Sequence, residues 1–88
     1  MTPIEFAALA QQVALRYSAS ITSWGRTDKH NLSVKGNPLS RHRVWLAMDL
    51  AVDDPSLRDD ALAYAIQLGL HGIVEPNGCL HLQDRAVL

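Results

Sequence analysis

The chain lacks a second cysteine: Cys79 stands alone among 88 residues, so no internal disulfide can staple the fold. It also lacks charge excess. Eight lysines and arginines against nine acidic residues leave a formal charge of −1, without the basic stripe that nucleic-acid binding requires. No stretch approaches the roughly 18 to 20 apolar residues of a membrane span. The opening Met1-Thr2-Pro3-Ile4-Glu5 has neither the basic start nor the apolar run of a secretory leader, so a protein that is cytoplasmic as synthesised is expected. Internal repeats and low-complexity tracts are missing too. What is present, 48% apolar and 19% charged residues, describes one small globular domain over residues 1–88. At this length a single core is barely sufficient, and a bound metal would help to hold it together.

Periodicity places the elements. Thr2 is suited to cap a helix, Pro3 to its first position, and Glu5 completes a capping box. Phe6, Leu9, Ala10, Val13 and Tyr17 then form one apolar stripe. Residues 19–24 read as a short strand, and the polar segment from Gly25 to Arg41 as a loop with a helical turn near Thr27 to Val34. From Val44 to Val52 the pattern alternates, with Val44, Leu46, Met48, Leu50 and Val52 on the core side and Trp45, Ala47, Asp49 and Ala51 opposite. Asp54 and Pro55 start a second helix whose buried stripe is Leu57, Ala61, Tyr64, Ala65 and Leu68, and Gly69 ends it. His71 to Val74 and Cys79 to Gln83 form a hairpin about Pro76-Asn77-Gly78, with Leu80 and Leu82 inward and Cys79, His81 and Gln83 outward. The expected architecture is α+β: a small antiparallel sheet with helices on its apolar face and polar side chains on the other.

That polar face carries Asp49 and His81, and His42 lies in the loop or bend just before Asp49's strand. Two imidazoles and a carboxylate are a ligand set that zinc accepts while leaving its fourth position open.

Ser40-x-His42-x-x-x-x-Ala47-x-Asp49 resembles the Ser-x-His-x-x-Gly-x-Ala-x-Asp signature of the zinc D-Ala-D-Ala peptidases (peptidase M15), which share a fold with the hedgehog signalling domain. Ile21 to Thr27 is similar to that family's Ser-Gly-Tyr-Arg-Ser segment, Lys29-His30-Asn31 and Gly36 to Ser40 continue the likeness, and Cys79-Leu80-His81-Leu82 is similar to its Trp-x-His close. The likeness spans residues 20–83. It implies a hedgehog/DD-peptidase-like fold and zinc held by His42, Asp49 and His81. It implies in turn a peptidase acting on peptidoglycan stem peptides, as D,D-carboxypeptidase or L-alanyl-D-glutamate endopeptidase. A compact member of this kind suits a phage lysis protein, acting in the periplasm or cell wall after release.

The residues refine that expectation. The family's usual acid three positions before the last histidine is here Gly78, whereas Glu75 matches the spacing of the hedgehog-type glutamate and is the candidate general base, set against an exposed turn residue. Arg26 matches the arginine that holds substrate or steadies the oxyanion, and Ser40 is a candidate to orient a ligand or the turn. Trp45 replaces a glycine and either walls the substrate cleft or fills it; Gln83 is a candidate substrate hydrogen-bonder. Cys79 is either a fourth metal ligand or a half-buried thiol beside the site. His30 and His71 read as solvent-facing. The alternatives to an enzyme are a catalytically inactive domain of the same fold that keeps zinc for binding or structure, and a small interaction domain with no metal, in which His42, Asp49 and His81 do not converge.

Overall fold

A computed structural model describes residues 1–25 and 45–84. Helix α1 spans Pro3–Tyr17 and starts as its sequence dictates. Thr2 Oγ1 accepts the Glu5 N–H at 3.2 Å, and Glu5 Oε1 accepts the Thr2 N–H at 2.9 Å, a reciprocal capping box. The helix ends at Ser18, whose left-handed backbone (φ 51°) turns the chain directly into strand β1, Ala19–Trp24. Strand β2 spans Ala47–Val52. Asp54 then accepts the Ser56 N–H and caps a single 3-10 turn, Pro55–Leu57, which runs into helix α2, Arg58–Gln67. Strands β3 (His71–Val74) and β4 (Leu80–Gln83) close the domain.

The four strands form one antiparallel sheet in the order β1-β2-β4-β3. Both helices lie on one side of it. Phe6, Ala10, Val13 and Ala14 from α1 and Ala61 and Ala65 from α2 meet Met48, Leu50, Val52, Leu80 and Leu82 in a single core, joined by Leu70. Each of the fully buried leucines contributes about 1.5–3 kcal/mol by leaving water. Gly72 lets α2 come close to β3, since a Cβ there would lie 2.7 Å from Leu82 and 3.0 Å from Leu62. The domain is thus α+β, with two helices and four antiparallel strands among the described residues.

Three boundaries differ from the sequence reading. Strand β2 starts at Ala47, not Val44: Trp45 has φ 61°, a left-handed conformation that no strand continues through, and Val44 lies outside the described residues. The second helix opens with a 3-10 turn because the Asp54 side chain tightens the chain around Ser56. Strand β4 begins at Leu80, since Cys79 still belongs to the turn, where its N–H donates to Asn77 Oδ1 at 3.0 Å. The helical turn expected near Thr27 to Val34 also lies outside the described residues. Among those described, no helix is long and apolar enough to cross a membrane.

Candidate metal centre

Pleating assigns every second residue of β2 and β4 to the face away from the helices, and register decides which of them meet. Asp49 on β2 is directly opposite His81 on β4, and His81 is directly opposite Ile73 on β3. On the other flank Ser23 of β1 is opposite Asp49, an alignment created by a bulge between Ile21 and Ser23. The bulged Thr22 donates its hydroxyl to the Asp49 carbonyl oxygen at 3.2 Å, fixing the strand on which the carboxylate sits. One row of side chains, Ser23, Asp49, His81 and Ile73, therefore crosses the whole sheet.

Within this row Asp49 Oδ1 lies 3.1 Å from His81 Nδ1, both side chains being largely buried (16% and 19% exposed). Glu75 reaches the pair from the end of β3. Its backbone is clamped by the hairpin turn, its N–H donating to the Cys79 carbonyl and its carbonyl accepting from the Gly78 N–H, both at 2.8 Å. Asp49, Glu75 and His81 each offer a ligand atom, and these atoms lie within 4.8 Å of one another, close enough to hold a metal ion. Among the described residues this is the group that converges in this way, and Cys79 is not part of it.

Electrostatics follow from the geometry. The hydrogen bond to Asp49 raises the His81 pKa above the ordinary imidazole value; burial opposes this, while the Gln83 acceptor and the charges of Asp49 and Glu75 add to it. On the far side of the ring, His81 Nε2 is 2.8 Å from Gln83 Oε1. Both ring nitrogens thus face oxygen atoms, an arrangement that calls for a cation: a second proton on the imidazole, or a metal ion on one side of it.

Other expected site residues are placed as follows. Gln83 shares the His81 face, as alternation requires, but is buried, only 6% exposed. Trp45 lies ahead of β2, so strand parity does not govern it. Its ring packs edge-on against Trp24 at 5.2 Å, its carbonyl accepts the Trp24 indole N–H at 3.1 Å, and it covers Gly25. Position 78 disfavours any residue but glycine. Its backbone has φ 89°, a left-handed conformation that side chains other than glycine rarely adopt, and Glu75 is the carboxylate this hairpin offers to the site. His71 is exposed at the start of β3. Arg26, Ser40 and His42 lie outside the described residues. The contact between Gln83 and Nε2 was missed in the sequence; the signal for it was the i, i+2 spacing from His81 on one strand face. Comparison with family models, with curated proteins and with solved structures returns no match for this chain.

Proposed function

We propose that this chain is a zinc peptidase that hydrolyses peptidoglycan stem peptides, on a hedgehog/DD-peptidase-like fold. The observation that carries the reading is the convergence at one point on the sheet of Asp49 from β2 with Glu75 and His81 from the β3–β4 hairpin. The 3.1 Å separation of His81 Nδ1 and Asp49 Oδ1 is close to the roughly 3.3 Å edge of a tetrahedron built on zinc bonds of about 2.0–2.1 Å. His42, from the resemblance, is the third ligand. Zinc in an open site supplies Lewis acidity, polarising a carbonyl and making water a usable nucleophile near neutral pH.

The chain's own residues do the rest. Glu75, held by the turn within reach of the ligand pair, takes a proton from the attacking water and returns it to the departing amine. Arg26 steadies the charge that develops on the scissile carbonyl oxygen. Trp45, with 43% of its surface exposed beside Trp24, presents an aromatic wall to the peptide.

The closeness of Glu75 to the other two donors favours one competing reading. If Glu75 is itself a ligand beside Asp49 and His81, no carboxylate of the hairpin is left to act as base, as in a domain that keeps zinc for structure or binding alone. Zinc content and stem-peptide hydrolysis of the wild type, His42→Ala and Glu75→Gln separate the two. The peptidase reading expects about one zinc per chain, lost in His42→Ala, and a Glu75→Gln variant that keeps its zinc but loses about 10²- to 10⁴-fold in rate. Zinc lost from Glu75→Gln, with no hydrolysis by the wild type, establishes the non-catalytic domain instead.

A further inference from the structure

Gln83 was a candidate for touching substrate, and its position in the fold gives it a different task. It is one of the most deeply buried polar side chains described, at 6% exposure, on the same strand face as His81 two residues earlier. In register it lies between Ala47 of β2 and His71 of β3. Ala47 is fully buried, and its single methyl leaves width for the amide beside it. A buried amide is costly unless its polar atoms are bonded, and the oxygen of this one is 2.8 Å from His81 Nε2.

An amide oxygen only accepts, so Nε2 must carry a hydrogen. A neutral imidazole with its proton on Nε2 has its lone pair on Nδ1, the nitrogen that faces Asp49. We propose that Gln83 is a positioning residue: by holding the Nε2 proton it fixes the His81 tautomer and ring plane, so that a divalent metal ion is bound through Nδ1. This inference rests on the metal-centre reading above. Nothing in it requires Gln83 to touch substrate, and a group orienting a metal-bound imidazole through its second nitrogen is a common way to strengthen a site.

The test uses the full chain with zinc as the probe. Zinc affinity is measured against a chromophoric chelator for the wild type, Gln83→Leu and Gln83→Glu, and long-range proton–nitrogen NMR of the zinc-loaded proteins identifies the protonated ring nitrogen of His81. The expected wild-type spectrum has a proton on Nε2 and metal on Nδ1. Gln83→Leu weakens zinc binding about 10- to 100-fold. Gln83→Glu, whose carboxylate accepts the same proton, restores wild-type affinity and keeps the tautomer. Metal on Nε2 in the wild type overturns the proposal, as does a Gln83→Leu protein that binds zinc within about threefold of wild type. If Gln83→Leu does not fold, the wild-type tautomer and the Gln83→Glu affinity decide the matter. A wild type that binds no zinc at all removes the metal centre itself, an outcome visible before either variant is compared.

Discussion

Replacing Asp49 by asparagine keeps the shape of the side chain and removes its charge, which makes the metal-free protein a gauge of how the site handles cations. At 3.1 Å, and with an effective dielectric of about 20, the gross attraction between a carboxylate and an imidazolium is about 5 kcal/mol. Desolvation of two largely buried groups cancels much of this. What remains is a charge-assisted hydrogen bond of about 1.5–3 kcal/mol, of which a neutral amide acceptor recovers about half. The expected loss in Asp49→Asn is therefore about 0.7–1.5 kcal/mol at pH 6. Its pH dependence carries the diagnosis. Asp49 raises the His81 pKa in the folded state, so this stability is fully present below the unfolded value of about 6.5 and is lost as pH rises through the higher folded value. Above that point the neutral ring no longer screens Asp49 from Glu75, whose ligand oxygens lie within 4.8 Å of each other, and the asparagine variant should equal or exceed the wild type. Urea unfolding from pH 5.5 to 9 in the presence of a chelator measures the difference. A deficit that stays constant across that range would refute the view that Asp49 holds His81 as a cation.

Three further outcomes test other parts of the structure. Zinc at about 100 times its dissociation constant should stabilise the wild type by about 2.7 kcal/mol, a rise of more than 10 °C in Tm for a domain of this size, and Asp49→Asn should lose most of that gain in the same thermal melt. Gly25→Ala should destabilise by at least about 1–2 kcal/mol, because Gly25 has φ 74° and an added Cβ would lie 2.1 Å from the Trp45 ring; chemical denaturation followed by the combined fluorescence of Trp24 and Trp45 measures this. Thr2→Ala removes the capping oxygen that Glu5 N–H uses and should cost about 1 kcal/mol in the same assay, with the sheet face unaffected.

The site brings Asp49 of β2 to Glu75 and His81 of the β3–β4 hairpin, and what made some of it legible is the pleat. Alternation in β2 and β4 put Asp49 and His81 outward and Leu50, Leu80 and Leu82 inward, as the burial of those leucines bears out. The same rule failed for Trp45, because it holds only while the backbone stays extended, and a positive φ ends the strand's periodicity. Local chemistry also sufficed for the Thr2–Glu5 box, the Asp54 cap and the Pro76-Asn77-Gly78 turn, where each side chain acts on a backbone group within three residues of itself.

Register was beyond the sequence. That Asp49 faces His81 and not its neighbour two residues away depends on how β4 slides against β2, which the core settles by packing Leu50, Leu80 and Leu82 of these two strands against apolar side chains of both helices. The bulge at Thr22 and the burial of Gln83 between Ala47 and His71 are of the same kind: both follow from the pairing of neighbouring strands. The sequence by itself determined the elements, their caps and the two faces of the sheet, since those are set by interactions a few residues long. Tertiary structure alone decided which polar side chains converge and which nitrogen of His81 faces Asp49, because those distances exist only once the strands are paired.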